Sequence, residues 1–209
     1  MKYKGKFITF EGSEGCGKST QSGLLYQYLK KRGLKVVSLR EPGATKISEK
    51  IRKILLDCKN DAMSKECEML LYMAARAQIV EEIIKPALAR GEIVICDRFL
   101  DSTLAYQGYG LGIDTGLIKN IGTFVTQGIK PDLTFFLDLP IKKGLKYREC
   151  IEDRIEMRAL SYHARVRRGY LTLAKLEPSR IKVVKVEKDK NMTQESIRKL
   201  VNKLCHLKI

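Results

Sequence analysis

The sequence predicts an α/β protein built on a five-stranded parallel sheet flanked by helices. Five short runs rich in β-branched and aromatic residues alternate with longer segments of helical periodicity along the 209 residues. This alternation is typical of a parallel sheet, because a helix carries the chain from the end of one strand back to the start of the next. The predicted strands are 7–10, 36–39, 93–96, 133–137 and 183–186.

The segments between these runs have the apolar spacing of helices. Leu24, Leu25, Tyr28 and Leu29 form one apolar face of a first helix, and Gly33 follows it as a stop signal. The other predicted helices cover about 47–57, about 64–90, the apolar stretch 170–176, and a final segment from about Thr193.

No linker or internal repeat divides the chain, and its length suits one hydrophobic core, so a single domain over 1–209 is predicted. Residues from about 141 to 160 differ in composition, because lysines and arginines crowd together with few β-branched residues. We interpret this segment as a helical excursion. Its composition alone favours a solvated surface helix held by i,i+4 ion pairs.

The formal net charge of +16 predicts attraction to polyanions or to phosphorylated small molecules. The lysines are dispersed without a dense basic arm, which favours a lysine-rich solvated surface over a nucleic-acid site. Six cysteines form no C-x-x-C pair and no zinc-ligand spacing, so reduced thiols are expected. Without a signal-peptide pattern or an apolar run of about 18 residues, a cytoplasmic protein with no membrane partner is expected.

A phosphate-binding loop follows the first predicted strand. The segment 12–19 satisfies G-x-x-x-x-G-K-[ST] and opens the first predicted helix, so the strand and helix that this motif requires are both present. Lys18 is expected to reach the β- and γ-phosphates, and the Ser19 hydroxyl to bind Mg²⁺. The motif predicts the P-loop NTPase fold and ATP binding. The predicted ATP-binding residues are Gly12, Ser13, Glu14, Gly15, Cys16, Gly17, Lys18, Ser19 and Thr20.

Several arginines lie where a second phosphate could bind. Arg40 and Arg98 follow predicted strands 2 and 3, and ligands of open parallel sheets gather at the carboxyl ends of strands. Arg76 lies in an otherwise apolar helix, where burial requires an anionic partner. That partner could be a phosphate or an acidic side chain. Asp97, at the end of strand 3, could orient Arg98, accept a metal-bound water, or simply end the strand.

The chain resembles bacterial thymidylate kinases over nearly its whole length. After the phosphate loop, four further stretches match this family in order and spacing. The five matching stretches are Phe10-Glu11-Gly12-Ser13-Glu14-Gly15, Arg40-Glu41-Pro42-Gly43, Ala74-Ala75-Arg76, Asp97-Arg98-Phe99 continuing to Asp101-Ser102-Thr103-Leu104-Ala105-Tyr106-Gln107, and Asp153-Arg154-Ile155-Glu156. The resemblance implies phosphorylation of dTMP by MgATP, no nucleic-acid partner, and a homodimer formed by helices packed face to face.

The resemblance also implies roles for residues in a monophosphate-binding region of about 40–107. Arg98 would hold the acceptor phosphate, and Arg76 would bridge the phosphate and the base. Tyr72 stands where the family usually has a phenylalanine stacked on thymine, although the pattern alone makes it a core residue. Thr103 and Gln107 would face the base edge. Three further contacts are implied, by Tyr106 at the sugar 2′ position, Glu14 near the 3′-hydroxyl, and Arg52 over the base.

Family members place a catalytic arginine either in the phosphate loop or in the lid. Position 15 is glycine here, so the resemblance assigns that duty to the lid, about 141–160, and to Arg154 within it. Arg148 and Arg158 are the alternative candidates. By resemblance, the catalytic set is Lys18, Arg98, Arg154 and Glu14, with Ser19 and Asp97 as the metal-binding residues.

Two other functions compete with this interpretation. A kinase for another monophosphate or a nucleoside would keep the phosphate loop but would not need Arg76 and Arg98 together. A protein that uses ATP as a switch on nucleic acid would explain the net charge. The kinase interpretation fails if carboxylates hold both arginines and no open cleft separates them from the phosphate loop.

Overall fold

The computed structural model describes residues 3–146 and 153–207. Its five strands form one sheet in the order β2-β3-β1-β4-β5, and every neighbouring pair is parallel. The predicted fold class is therefore confirmed, with β5 beginning two residues earlier than predicted. The strands are β1 (Lys6–Glu11), β2 (Val36–Arg40), β3 (Ile93–Asp97), β4 (Leu133–Asp138) and β5 (Ile181–Lys185).

The helices follow the strands in the expected alternation. The segment predicted as one helix over 64–90 is an α-helix, a π-helical turn at Val80–Ile84 and a short second α-helix. A second π-helical segment, Leu104–Gly110, follows β3. The α-helices are α1 (Lys18–Lys31), α2 (Lys46–Leu56), α3 (Lys65–Ile79), α4 (Lys85–Ala89), α5 (Leu100–Thr103), α6 (Thr115–Val125), α7 (Ile141–Lys146), α8 (Leu160–Leu176) and α9 (Lys190–Leu204).

Local capping explains where several of these helices begin. Thr45, Ser64 and Asp114 each accept a backbone hydrogen bond from the first turn of α2, α3 and α6. Such caps satisfy amide groups that a helix N-terminus otherwise leaves without partners. Helix α1 begins differently, because Gly17 precedes it in the left-handed region and provides no side-chain cap.

Apolar cores cover both faces of the sheet. Ile8 and Phe10 of β1 pack with α1 and α9 on one face, whereas Phe7 packs with α3, α4 and the intervening π-helical turn on the other. Phe136 of β4 belongs to a third cluster with α8 and the segment Leu104–Gly110. Helices on both faces are the usual way to bury a parallel sheet.

The strand register brings three chain segments together at the carboxyl edge of the sheet. Asp97 of β3 pairs with Phe10 of β1 and with Arg40 of β2. The residues that follow these three strands therefore start side by side. This edge is where ligands bind in open α/β sheets.

The predicted lid is only partly covered by the described residues. Helix α7 occupies Ile141–Lys146, and a turn at 154–157 precedes α8. Residues 147–152, which include Arg148, lie outside the described residues. The lid over about 141–160 thus stays a prediction.

Candidate active site

The phosphate loop needs glycine at specific positions. Gly12, Gly15 and Gly17 all have positive φ angles, of 146°, 67° and 87°. A Cβ atom on Gly15 would lie 2.0 Å from the Gly144 carbonyl oxygen, and one on Gly12 would lie 2.8 Å from that of Leu137. The loop can therefore close only with glycine at these places. Because α1 lacks a side-chain cap, its first amide groups can bind phosphate oxygens.

Lys18 and Ser19 lie at the start of α1, as the motif predicts. The Lys18 Nζ atom donates to the carbonyl oxygens of Ser13 at 2.9 Å and Gly12 at 3.2 Å, so the loop itself holds the ammonium group over its centre. The Ser19 hydroxyl donates to the Asp97 Oδ2 atom at 2.7 Å. The sequence predicted both positions, and the register of β1 and β3 explains why they meet.

Ser19 and Asp97 fit a magnesium ion bound together with a nucleotide. Both offer oxygen atoms, which are the ligands that Mg²⁺ prefers. Within 3–146 and 153–207, no group of three or more His, Cys, Asp or Glu side chains could hold a metal by itself. Magnesium usually takes one or two protein ligands and fills its coordination sphere with water and phosphate, so this sparse donor set suits it.

Arg98 occupies the junction between the strands. Its backbone lies in the left-handed region, with φ of 74°, and its amide donates to the Phe10 carbonyl at 2.9 Å. The guanidinium group donates to the Gly12 carbonyl at 3.1 Å, to the Tyr106 hydroxyl at 3.1 Å, and to the Glu14 carboxylate. A planar donor with several hydrogen-bond directions is thus held beside the phosphate loop.

Arg98 strongly affects its partner Glu14. Burial by itself raises the pKa of Glu14, but the charges of Arg98 and Lys18 and the hydrogen bond from Tyr106 outweigh burial and lower the pKa to about 2. Glu14 is therefore ionised at neutral pH and neutralises part of the positive charge at the junction.

Glu11 holds the turn that carries Arg98. One of its carboxylate oxygens accepts from the Phe99 amide at 2.7 Å, and the other accepts from the hydroxyls of Ser102 at 2.6 Å and Tyr170 at 2.9 Å. Burial, and then the charge of Asp101, raises the pKa of Glu11 to about 7. Glu11 belongs to a motif that matches the family, but its role was not predicted from the sequence. The sequence clue was an acidic residue at the end of a buried, mostly apolar strand.

Arg76 is almost completely buried, and the structure decides between the two partners that the sequence left open. Its Nε atom donates to the Glu41 carboxylate at 2.8 Å, while Nη1 and Nη2 donate to the Thr103 hydroxyl at 3.1 Å and the Phe99 carbonyl at 3.0 Å. Glu41 and Thr103 line the cleft, but Arg76 does not. Glu41 is therefore the anionic partner of Arg76 in this structure, and the contacts with phosphate and base that the resemblance implied for Arg76 stay predictions.

Glu41 is the acidic partner that sequence reasoning missed. Its Oε1 atom is buried and has no hydrogen-bond partner within the described part of the chain. Burial raises the pKa of Glu41 to about 7, although Arg76 opposes this effect. The sequence clue to Glu41 was its position directly after Arg40, at the carboxyl end of a strand.

One cavity beside Arg98 gathers most of the residues to which the resemblance gave a role at the base, and we call it the base cavity. Tyr72 reaches it from α3, and Arg52 reaches it from α2, with its guanidinium fixed by a 2.9 Å hydrogen bond to the Pro42 carbonyl. Burial raises the pKa of Tyr72 above the ordinary range, so its hydroxyl stays protonated. The cavity is lined by Glu14, Glu41, Pro42, Arg52, Leu56, Tyr72, Arg98, Ser102, Thr103, Tyr106, Gln107, Asp153 and Ile155.

A second cavity extends from this one to the phosphate loop. It is lined by Glu14, Gly15, Gly17, Lys18, Ser19, Thr20, Arg40, Glu41, Arg52, Asp97 and Arg98. Glu14, Glu41, Arg52 and Arg98 border both cavities, so the two form one continuous cleft. Carboxylates do hold Arg76 and Arg98, but the cleft between them and the phosphate loop is open. The condition that would exclude a kinase is therefore not met.

Arg154 lies away from both cavities in this structure. Its guanidinium donates to Glu68 at 2.6 Å and to the Leu55 carbonyl at 3.0 Å, and it lines neither cavity. Arg158 donates to the same carboxylate at 2.6 Å. The resemblance made Arg154 the catalytic arginine of the lid, and with a buried carboxylate as its partner here that role stays a prediction. Of the three lid arginines considered, Arg148 lies outside the described residues.

Comparisons with known proteins indicate the same family as the motifs that form the cleft. A family model described as thymidylate kinase matches residues 10–197. The thymidylate kinase of Geotalea daltonii is 51% identical over 189 residues, which cover 86% of this chain and 88% of that protein. The thymidylate kinase of Methylococcus capsulatus is 45% identical over 202 residues, or 96% of each chain.

A solved structure also matches. The crystal structure of thymidylate kinase from Ehrlichia chaffeensis has a TM-score of 0.78 and 37% sequence identity, covering 95% of this chain and 98% of that one. Among the described helices, none has the length and apolar character needed to cross a bilayer. The extent and identity of these matches confirm the resemblance found in the sequence, and the chain belongs to the thymidylate kinase family.

Proposed function

We propose that this protein transfers the γ-phosphoryl group of ATP to dTMP, giving ADP and dTDP. The observation that supports this most strongly is the continuous cleft. It has Lys18 and Ser19 at one end, Arg98 at its middle, and Tyr72 and Gln107 at the other end. Two anionic nucleotides can lie in it end to end, with their phosphates meeting at Arg98.

Charge and positioning dominate the chemistry of this transfer. The attacking phosphate oxygen is already negative, so a general base contributes little, and the main difficulty is to align two polyanions. Lys18 binds the donor phosphates, and Arg98 binds the acceptor phosphate. Glu11 keeps Arg98 in position through the Phe99 amide and the Ser102 hydroxyl. Arg98 therefore needs little reorganisation when a phosphate arrives.

Magnesium is the metal that the donor set suits. When bound with ATP, it neutralises charge on the β- and γ-phosphates. The Ser19 hydroxyl would be the direct ligand of the ion, and Asp97, 2.7 Å from that hydroxyl, would help to hold it through water.

The base side supports selection of a thymine nucleotide. Tyr72 offers a ring for stacking, while Thr103 and Gln107 present hydrogen-bonding groups at the cavity wall. Tyr106 donates to Glu14 at 2.9 Å, and its ring lies under Arg98 with the guanidinium 4.9 Å from the ring centre. A sugar placed between the base and Arg98 meets this fixed ring, and we infer a preference for deoxyribose.

A homodimer is the proposed assembly. Helices α3 and α6 contact each other, and they expose Leu70, Leu117 and Phe124, of which Phe124 is 82% exposed. Exposed apolar clusters of this kind commonly mark protein interfaces. We also place the protein in the cytoplasm, where thiols such as those of Cys16, Cys67, Cys96 and Cys205 stay reduced.

A panel of acceptors tests the proposed function. With MgATP in a coupled ADP-release assay, dTMP should have the highest kcat/KM among dTMP, dCMP, dAMP, dGMP and thymidine. A different monophosphate or thymidine as the best acceptor would contradict the proposal. ATP hydrolysis that only DNA or RNA stimulates, with a steep salt dependence, would instead favour a nucleic-acid switch.

A further inference from the structure

Glu68 is a fully buried carboxylate behind Gln107, which lines the base cavity. It lies on α3 and has no solvent exposure. Its Oε1 atom accepts from the Gln107 Nε2 atom at 2.9 Å and from Arg158 at 3.2 Å. Its Oε2 atom accepts from Arg154 and Arg158, each at 2.6 Å. Four donated hydrogen bonds satisfy this carboxylate in place of water, as a buried charge requires.

The contact with Glu68 determines which way the Gln107 amide faces. An ionised carboxylate only accepts hydrogen bonds, so it can pair with the amide nitrogen but not with the amide oxygen. The nitrogen and oxygen of an amide diverge from one carbon atom. Gln107 lines the base cavity and its nitrogen is bound to Glu68, which leaves its oxygen as the amide atom available to a ligand in the cavity.

Given the proposed function, we infer that Glu68 is a positioning residue for base selection. It turns the Gln107 oxygen toward the base, so the cavity offers an acceptor to the N3–H group of thymine or uracil. Cytosine has an unprotonated acceptor nitrogen at N3, and that atom would face the Gln107 oxygen without a shared proton. A buried pair of acceptors is costly, which is how a polar site rejects the wrong base.

The two arginines make this arrangement rigid. Arg154 and Arg158 neutralise Glu68, so its charge is not left facing a base that carries no charge of its own. Both come from the segment that follows residues 147–152, and their side chains are 7% and 20% exposed. Glu68 therefore links the far end of the predicted lid to the base cavity.

The variant Glu68→Gln tests the inference. The remaining side-chain oxygen should stay with the arginines, which leaves the new amide nitrogen beside Gln107. Gln107 should then turn over and present its nitrogen to the base. We expect the ratio of kcat/KM for dTMP to that for dCMP to fall by about tenfold to a hundredfold. An unchanged ratio in a folded Glu68→Gln enzyme would overturn the inference.

Two comparisons separate an effect on the orientation of the Gln107 amide from a general loss of stability. The ratio of dTMP to dUMP should stay within about twofold, because both bases carry N3–H. Asp101→Asn is the matched control, since Asp101 is likewise a buried carboxylate held by two bonds from one arginine, Arg180, at 2.6 and 2.9 Å. It should weaken the fold without changing the dTMP to dCMP ratio. If the dTMP to dCMP ratio changed equally in both variants, Glu68 would have only a structural role.

A measurement on the wild-type protein covers the case in which Glu68→Gln does not fold. In protein labelled with nitrogen-15 at glutamine, the Gln107 side-chain amide protons should exchange slowly with solvent, and dTMP should not displace them from Glu68. The Gln107→Leu variant lacks this amide, so the signal that disappears from its spectrum is that of Gln107. Exchange as fast as that of a free glutamine would overturn the inference. Wild-type turnover of dTMP tests the proposed function separately, so the two can fail independently.

Discussion

Two arginine–glutamate pairs near the cleft, Arg98 with Glu14 and Arg154 with Glu68, differ in whether a ligand can reach them. In the pair of Arg98 with Glu14, the side chains are 16% and 21% exposed and both line the cleft. In the pair of Arg154 with Glu68, they are 7% and 0% exposed, and neither lines it. A phosphate can therefore reach Arg98 without unfolding its surroundings. Arg154 would first have to leave a carboxylate that has no access to water.

The difference shows that residue type does not decide whether an arginine binds substrate. Breaking a buried pair by removing one partner typically costs about 3–5 kcal/mol, because an uncompensated charge remains. At Arg98, an incoming phosphate supplies the replacement charge. Arg154 lines neither cavity, so we expect its pair with Glu68 to contribute to the stability of the fold instead.

Arg98→Ala should have the largest effect on activity. Removing the cation that receives the acceptor phosphate should lower kcat/KM for dTMP by roughly 10³ or more, the lower range for an arginine that stabilises phosphoryl transfer. Steady-state kinetics measure this loss, and Lys142→Ala, a change on the surface of α7 outside both cavities, is the control. A loss below tenfold would remove Arg98 from the mechanism.

Arg154→Ala should mainly affect stability. It leaves Glu68 with one arginine instead of two, so the free energy of unfolding should fall by about 3 kcal/mol in urea denaturation, with kcat within tenfold of wild type. Arg167→Ala, which removes a more exposed pair with Asp138, should cost no more than about 1 kcal/mol. If Arg154→Ala instead lowers kcat by roughly 10³ to 10⁵ with unchanged stability, the assignment by resemblance is right and Arg154 leaves Glu68 during turnover.

Thr103→Val should have a smaller effect, confined to the base. Its hydroxyl accepts from Arg76 at 3.1 Å and faces the cavity, so its loss leaves a buried donor unsatisfied near the base. Preference for dTMP over dCMP should fall by about tenfold, as measured by the ratio of kcat/KM values. Gln107→Leu should act in the same direction. A preserved ratio in both variants would place the base elsewhere.

The smallest predicted effect is on the pH dependence of stability. The pKa of Glu11 is about 7 in the folded protein, above its ordinary value, so the folded state binds the extra proton between about pH 4.5 and 7. Stability should therefore fall as pH rises through this window, and Glu41, whose pKa is also about 7, adds to the decrease, whereas Glu14, with a pKa of about 2, contributes almost no slope there. Urea denaturation at pH 5 and 7.5 should show a decrease of about 1–3 kcal/mol, which Glu11→Gln reduces. An equal decrease in wild type and Glu11→Gln would show that another group is responsible.

Short-range patterns carried much of the information about this site. The phosphate loop is a local structure, so its spacing in 12–19 was enough to predict the positions of Lys18 and Ser19. Arg98 and Asp97 followed from their places at the end of a predicted strand, because parallel strands end at one edge. The predicted strands needed correction by only one or two residues at their ends.

The sequence by itself therefore determined the order of strands and helices, the phosphate loop and the resemblance that names the family. Only the tertiary structure decided which carboxylate holds which arginine: Glu41 lies 35 positions from Arg76, and Glu68 lies 86 positions from Arg154. Periodicity and motif spacing report on contacts a few residues apart, whereas these pairs form only when distant helices and loops pack together. Each buried charge is then satisfied by whichever opposite charge the packing brings within reach.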